Sequence, residues 1–246
     1  MNGQAVMVLG ASGAVGAELC RQLAQDGIPV VAAARDLARL DEALGDLEAE
    51  RVQVDATDGA SVKAAFDAAL ASSPEGLRGV ANCVGSLLLK PAHSTSDDEW
   101  SQVISTNLDS AFHTVKHGAK AMMKSGGAIV LVSSAAATAG LTNHEAIAAA
   151  KAGVEGLARS AAATYAGRGI RVNAVAPGLV RSGITAPVFA NELALKASQA
   201  MHALPRLGEP QDVAGAIRWL LDADWVTGQV IGVDGGLARV RTRAKA

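Results

Sequence analysis

The chain has 246 residues, of which 50% are hydrophobic and 19% charged, with a formal net charge of −2. This much apolar sequence can build a full core, which excludes a disordered or collagen-like chain, and the charge gives no reason to bind nucleic acid or an anionic membrane. Two cysteines, no basic leader and no uncharged apolar stretch approaching about 20 residues predict a reducing, cytoplasmic location.

Short apolar runs of strand length alternate along the chain with longer segments of helical spacing. We predict strands at 5–9, 28–34, 51–54, 79–84, 128–132, 171–175 and 229–233, and helices at 14–26, 37–50, 61–72, 98–124, 145–167 and 211–222. The strand runs are continuous rather than alternating, which is typical of strands buried on both faces. The pattern predicts one α/β domain, a doubly wound parallel sheet of about seven strands with helices on both faces, and ligands at the carboxyl ends of its strands.

A glycine-rich loop follows the first predicted strand and precedes the first predicted helix. Its residues are Gly10, Ala11, Ser12, Gly13, Ala14, Val15 and Gly16. Glycines allow a tight turn and a close approach to a pyrophosphate, and the helix N-terminus supplies free N–H groups and a positive dipole end. In this strand, loop and helix context the loop predicts dinucleotide binding.

The end of the second predicted strand bears on the choice of coenzyme. An NAD site usually has an acid there for the ribose 2′-hydroxyl, whereas this chain has Ala34 followed by Arg35. A cation suits a 2′-phosphate, so the sequence favours NADP over NAD. The neighbouring Asp36 keeps NAD open as the second choice.

Two segments lie outside the strand and helix pattern. Residues 182–207 carry scattered apolar side chains between two proline-bearing turns, and they are expected to form a substrate lid, with an ordinary packed helical insertion as the alternative. Residues 239–246 hold four basic side chains and are expected to form a solvated tail.

Further motifs fall in the order typical of the short-chain dehydrogenase/reductase family, which the chain resembles over nearly its whole length. The landmarks are the loop at 10–16, Asp55, the 82–85 turn Asn-Cys-Val-Gly, Asn107, Ser133 with Ser134, Lys151, the 173–178 segment ending in Pro177-Gly178, the 206–210 segment, and the 227–236 segment. The resemblance implies a nicotinamide-dependent oxidoreductase acting on a small substrate, and a dimer or tetramer built through the helix after Asn107, the Lys151 helix and the last strand.

The resemblance also implies roles for individual residues. The implied cofactor contacts are Asp55 and Ala56 at the adenine, Asn82 and Gly85 at the cleft floor, Lys151 at the nicotinamide ribose, and Pro177, Gly178, Val180 and Ser182 at the nicotinamide. Ser134 would hold the substrate oxygen, and Asn107 would kink its helix and hold a water in a proton relay. The glycine loop departs from the family's commonest form, because Leu9 stands where threonine is usual and Ala14 where glycine is usual.

A larger departure lies at the chemistry. The family's acid is a tyrosine four residues before the lysine, and that position here is Ile147, a register supported by Ser134, which lies 13 residues earlier. Tyr165, the single tyrosine, lies 14 residues past Lys151, or about 21 Å along one helix, and is expected to be a packing or surface residue.

His144 lies three residues before Ile147 and seven before Lys151, spacings that share one helix face. It either assists proton transfer or is a loop residue with no role. Thr142 and Glu145 have the spacing of a capping box that begins this helix. His113 and His117 are expected to be exposed or at an interface.

Three functions remain open from the sequence. The first is an NADP-linked oxidoreductase with a non-standard proton donor, acting on an apolar carbonyl or alcohol. The second is a non-catalytic nucleotide-binding subunit or sensor that keeps the fold, which Ile147 supports. The third is an isomerase or epimerase with a permanently bound cofactor.

Overall fold

A computed structural model describes residues 3–241 of the chain. Its strands are Ala5–Leu9 (β1), Val30–Ala34 (β2), Glu50–Gln53 (β3), Leu77–Asn82 (β4), Gly127–Val132 (β5), Ile170–Pro177 (β6) and Val230–Val233 (β7). Its α-helices are Ala14–Gln25 (α1), Leu37–Leu44 (α2), Gly59–Ser72 (α3), Asp97–Ile104 (α4), Ser110–Ala121 (α5), Glu145–Tyr165 (α6), Ala186–Ala190 (α7), Glu192–Met201 (α8) and Pro210–Asp222 (α9).

The strands form one parallel sheet in the order β3-β2-β1-β4-β5-β6-β7. The central strand β1 pairs on one side with β2 and on the other with β4, so that Leu9 faces Ala33 and Asn82. The winding direction therefore reverses between β1 and β4, and the crevice at their carboxyl ends is where such sheets bind ligands. The predicted doubly wound parallel sheet is confirmed.

The core consists of two apolar layers, one on each face of the sheet. Along β1, Met7 packs into the layer beneath α3, α5 and α6, whereas Val6 and Val8 pack into the layer beneath α1 and α9. Both faces of the central strands are buried, as the continuous apolar runs predicted. That prediction is wrong for the edge strands β3 and β7, most of whose residues are partly or fully exposed.

Several predicted helices are shorter than expected because local geometry ends them early. The helix predicted at 37–50 ends at Leu44, because Gly45 adopts a φ of 55° that a continuing helix does not allow. The helix predicted at 98–124 is three segments: α4, a π-helical turn over Ser105–Asp109, and α5. The 182–207 segment contains α7 and α8, and whether it closes over a substrate stays a prediction.

The described residues include part of the predicted basic tail, and their helices can be examined for a membrane span. Arg239 and Arg241 of the predicted basic tail are exposed, and Arg243 and Lys245 lie outside the described residues. Among residues 3–241, no helix has the length and apolar character that crossing a membrane requires.

Candidate active site

The glycine loop makes a tight turn from β1 into α1 at the β1/β4 crevice. Gly10 has a φ of 77°, and a Cβ there would lie 2.8 Å from the backbone of Cys83 at the end of β4. A Cβ on Gly16 would lie 2.4 Å from the carbonyl oxygen of Gly10. Gly13 caps α1 without any side-chain hydrogen bond, so the first-turn N–H groups stay available for phosphate.

The rest of the loop supports this turn. The side chain of Val15 is half-buried against the layer beneath α1, and Ser12 is half-buried in the wall of a cavity that also contains Gly13. The shape of this turn fits a dinucleotide pyrophosphate. Glycine occupies Gly10 and Gly16, the two positions where a Cβ would collide with backbone atoms.

Residues after β2 and β3 form the predicted adenosine end. Asp36 caps α2 by accepting a 3.1 Å hydrogen bond from the Arg39 N–H, which occupies its carboxylate with a structural role. The Arg35 side chain is exposed and has no hydrogen bond or ion pair with another residue in 3–241. Asp55 accepts from the hydroxyl and the N–H of Thr57, and these bonds hold the pKa of its carboxyl below the usual range. Ala56 beside it is buried.

Polar side chains gather where β4 ends. Asn82 is buried and accepts a 2.9 Å hydrogen bond from the Val84 N–H, which shapes the turn that leads to Gly85. A Cβ on Gly85 would lie 3.2 Å from Asn107 Oδ1 and 3.5 Å from Lys151 Nζ. The structure therefore brings Asn107 and Lys151 together at this turn.

Asn107 explains the π-helical turn between α4 and α5. Its buried Nδ2 donates to the Val103 carbonyl at 2.9 Å and to Ser86 Oγ at 2.9 Å, and its Oδ1 accepts from the Ser86 N–H at 3.2 Å. An amide that bonds a carbonyl four residues earlier competes with the regular helix ladder. The helix is thus distorted at the residue for which the resemblance implied a kink.

The two serines after β5 point to different surroundings. Ser133 is buried and donates to Glu155 Oε1 at 2.9 Å, which fixes it against α6. Ser134 is half-buried, and its Oγ accepts only a 3.2 Å bond from the Ala136 N–H, which leaves its hydroxyl hydrogen available. Of the pair, Ser134 is the one that can donate to a substrate oxygen.

Lys151 is buried within α6, with 5% of its surface exposed. Its Nζ donates to the Val132 carbonyl at the end of β5, at 2.8 Å. Burial lowers the pKa of its ammonium group to about 8. The nearby Cys83 thiol gives it no negative partner, because burial raises the pKa of that thiol to about 12.

Ile147 lies one turn before Lys151 and is buried in a small apolar cluster. Val103, Ala146 and Ala150 belong to that cluster, and Leu87, Leu88 and Ile104 pack against it. Apolar side chains therefore surround the helix face just before the lysine.

The start of α6 differs from the predicted capping box. Asn143 adopts a φ of 62°, and the helix begins at Glu145 with His144 as its N-cap residue. The Thr142 side chain therefore caps nothing, and the capping box is wrong. His144 uses its Nδ1 in a 2.7 Å hydrogen bond with the Thr142 carbonyl. Its proposed part in proton transfer stays a prediction.

The remaining predicted cofactor residues lie at the end of β6 and on the loop that follows it. Pro177 and Gly178 are half-buried, and buried Val180 forms an isolated bridge with Gly208. Ser182 Oγ lies 2.9 Å from Thr185 Oγ1 and shares a hydrogen bond with it. Because Gly208 pairs with this loop, both ends of the 182–207 segment are fixed beside it.

His202 was not identified from the sequence, because the histidine has no motif around it. The ring is buried at the end of α8, Nδ1–H donates to the Ser198 carbonyl at 2.7 Å, and Nε2 accepts from the Leu179 N–H at 3.2 Å. A Cβ on Gly178 would lie 2.6 Å from that Nε2. His202 thus connects α8 to the predicted nicotinamide loop.

We expect His202→Ala to loosen the 182–207 segment. The change leaves the Leu179 N–H without its partner, a loss of about 1–3 kcal/mol for a buried group. Limited proteolysis should then cut between residues 182 and 207 faster than in the parent. Met201→Ala, on the exposed neighbour, is the control, and equal cleavage rates in the two variants would contradict the expectation.

His113 and His117 correct another prediction. His117 is buried, its ring centroid lies 6.1 Å from that of Phe66 in a tilted arrangement, and burial lowers its pKa. His113 packs against Gly59 at the start of α3. Neither side chain is exposed, because α5 turns both toward α3, and the alternative that they lie at an interface stays a prediction.

Comparisons with known proteins agree with this geometry. A family model described as "Enoyl-(Acyl carrier protein) reductase" matches residues 10–238. Galactitol 2-dehydrogenase (L-tagatose-forming) of Cereibacter sphaeroides is 35% identical, over 96% of this chain and 95% of that protein. Cis-4-hydroxycyclohexanecarboxylate dehydrogenase of Sinomonas cyclohexanicum is 38% identical, over 95% of this chain and 96% of that protein. The solved structure of ElxO with NADP bound superposes with a TM-score of 0.88 at 26% identity, covering 95% of this chain and 98% of that one.

Proposed function

The chain belongs to the short-chain dehydrogenase/reductase family, and from that premise we propose that it is an NADP(H)-dependent oxidoreductase. It transfers hydride between the nicotinamide and a small, apolar carbonyl or alcohol substrate. The two related dehydrogenases are named for substrates that carry alcohol groups, which supports this reaction class. The carbonyl oxygen of the substrate is proposed to receive its proton from a group other than a tyrosine at position 147.

One observation carries the proposal. At the ends of β4 and β5, beside the glycine loop, the structure assembles an available serine hydroxyl, an amide and a buried ammonium group: Ser134, Asn107 and Lys151. The hydroxyl and ammonium donors suit a developing oxyanion next to a nicotinamide, and the Asn107 amide, whose two N–H groups already bond Val103 and Ser86, holds the wall beside them. The apolar cluster at Ile147 supports an apolar substrate.

The residues of this crevice are proposed to have separate roles in binding the coenzyme, orienting the substrate and supporting the crevice wall. The bound coenzyme supplies or accepts the hydride, and the glycine loop and Lys151 are proposed to hold its pyrophosphate and nicotinamide ribose. Ser134 orients the substrate oxygen by donating a hydrogen bond. Asn107 holds the Ser86 turn and, with it, the wall of the crevice beside Lys151. Positioning of this kind lowers the activation free energy of the reaction by several kcal/mol.

NADP is preferred because of the two residues after β2. The Asp36 carboxylate is already used as a helix cap, whereas the Arg35 guanidinium is exposed and available for a 2′-phosphate. NAD remains the second choice. The related structure that contains NADP supports the same preference.

We expect Arg35→Glu to reverse the coenzyme preference. Hydrogen bonds from a guanidinium to a phosphate contribute about 1.5–3 kcal/mol, so the affinity for NADPH should fall roughly 10- to 100-fold while that for NADH is unchanged. Titration of protein fluorescence with each coenzyme measures this. Arg39→Glu, an exposed arginine four residues later in α2, is the matched control. If the ratio of the affinities for NADPH and NADH were the same in Arg35→Glu as in the parent, the result would argue for NAD.

The proposed activity is tested with NADPH and a panel of ketones, quinones and enones, followed by loss of nicotinamide absorbance. Turnover of at least one apolar carbonyl is expected. NADPH binding without turnover of any substrate would favour the second candidate, a nucleotide-binding subunit, for which Ile147 is the specific observation. Coenzyme that copurifies in stoichiometric amount, with no net oxidation, would favour the isomerase or epimerase.

A homo-oligomer is proposed as well. Large apolar side chains are exposed at several places in the fold: Trp100 on α4, Phe112 on α5, Trp219 on α9 and Trp225 between α9 and β7. Exposed apolar groups of this size support contact with further copies of the chain.

A further inference from the structure

Reduction of a carbonyl needs a proton as well as a hydride, and the surroundings of position 147 do not provide one. The Ile147 side chain is apolar and buried among other apolar groups. Tyr165 packs against the core layer at the far end of α6. A different group in the crevice must therefore exchange the proton if the proposed reaction occurs.

The other candidates are already engaged or are too weakly acidic. The Cys83 thiol, with its pKa raised to about 12 by burial, holds its proton at neutral pH. His144 lies at the N-cap of α6, about 10 Å along the helix from Lys151, and bonds the Thr142 carbonyl. The Ser134 hydroxyl can orient an oxygen, but it needs a base or acid behind it to exchange a proton.

Lys151 has the required placement. Its Nζ makes one hydrogen bond, to the Val132 carbonyl, which leaves two N–H groups for the crevice. Asn107 Oδ1 lies beside it across Gly85. In residues 3–241 no carboxylate pairs with the ammonium group, because Glu155, one turn later, accepts from Ser133 instead.

We propose that Lys151 is the acid and base of the reaction, replacing a side chain at position 147. The inference rests on the proposed oxidoreductase function. In reduction, hydride from the coenzyme forms the new C–H bond as the C=O π bond becomes an oxyanion, and the Lys151 ammonium gives that oxygen one proton, directly or through one water. The neutral amine then recovers a proton from solvent. In oxidation the amine accepts the alcohol proton.

The facing charges agree with this role. The groups packed against Nζ are the neutral Cys83 thiol and uncharged carbonyl and amide oxygens, so burial dominates and lowers the pKa of Lys151 to about 8. A donor with a pKa close to the working pH is the most efficient in general acid catalysis. The ammonium form predominates below pH 8, and the amine above it.

The test is the pH profile of kcat for reduction, at saturating NADPH and carbonyl substrate, between pH 6 and 10. For reduction, kcat of the parent should be constant below about pH 8 and fall about tenfold per pH unit above it, whereas kcat for oxidation should rise about tenfold per pH unit up to about pH 8 and be constant above it. A flat profile across this range overturns the proposal. A parent protein that binds NADPH but reduces no substrate overturns the proposed function itself.

Lys151→Arg separates charge from proton transfer, because a guanidinium keeps its charge and does not release a proton in proteins. We expect kcat to fall about 10²- to 10⁴-fold, with no break near pH 8. NADPH binding, followed by fluorescence, should change much less and reports that the variant is folded. Lys120→Arg, at an exposed position of α5, is the matched control. A kcat within about threefold of the parent, by showing that charge alone suffices, overturns the proposal.

Discussion

Gly16→Ala is expected to lower NADPH affinity about 100-fold and to destabilise the fold by about 1–3 kcal/mol. A Cβ at this position would lie 2.4 Å from the Gly10 carbonyl oxygen and 2.9 Å from Ala11 Cα, both of which are backbone atoms. Backbone cannot rotate away as a flexible side chain can, so the loop itself must move. The first-turn N–H groups of α1 then no longer lie where a pyrophosphate needs them.

Thermal unfolding and NADPH titration measure the two effects separately. The matched control is Gly215→Ala in α9, where a Cβ meets no atom within 4 Å. Replacing glycine by alanine inside a helix stabilises it by about 0.5–1 kcal/mol, so the control should melt slightly higher and bind NADPH as the parent does. If Gly16→Ala bound NADPH as tightly as the control, the assignment of the pyrophosphate site would be wrong.

Asn107→Ala should reduce both stability and turnover. The substitution removes three hydrogen bonds, to the Val103 carbonyl, Ser86 Oγ and the Ser86 N–H, and leaves buried groups without partners. We expect the free energy of unfolding to fall by about 2–4 kcal/mol and kcat by at least about 100-fold, because the wall beside Lys151 is no longer held.

Urea unfolding and steady-state kinetics at a temperature well below the melting point test this. Gln102→Ala is the control, since Gln102 also bonds within the same helical region, to Thr106 Oγ1, but at the exposed surface. Its free energy of unfolding should change by less than about 0.5 kcal/mol. Full activity in folded Asn107→Ala would remove this residue from the crevice chemistry.

The arrangement of the fold was predictable because its signals are local and repeated. Continuous apolar runs such as that of β1 mark strands covered on both faces, and the order of strands and helices then leaves few topologies. The same signal failed at β3 and β7, because a short apolar run does not reveal whether a strand lies at the edge. The end of the helix predicted at 37–50 was wrong because the backbone angle of Gly45 decides it, whereas α6 begins at the predicted Glu145 and only its capping box was wrong, since Asn143 has a positive φ.

For the candidate site, the motifs identified which side chains to examine but not what holds them. The buried bond between Ser133 and Glu155, which lie 22 residues apart, depends on a contact between distant parts of the chain. His202 is the clearest omission, since its partner at Leu179 lies 23 residues away and no spacing rule predicts it. Sequence proximity therefore predicted candidates, and tertiary contacts separated the available groups from the occupied ones.

The reversal of strand order between β1 and β4 also affects how the chain folds while it is being synthesised. On the ribosome, residues 5–9 emerge long before residues 77–82, which form the second neighbour of β1. Until then a fully apolar strand has an unpaired edge, which is a template for aggregation. Truncated chains that end before Leu77 should accumulate in inclusion bodies or bind chaperones, whereas chains that extend through β5 protect that edge.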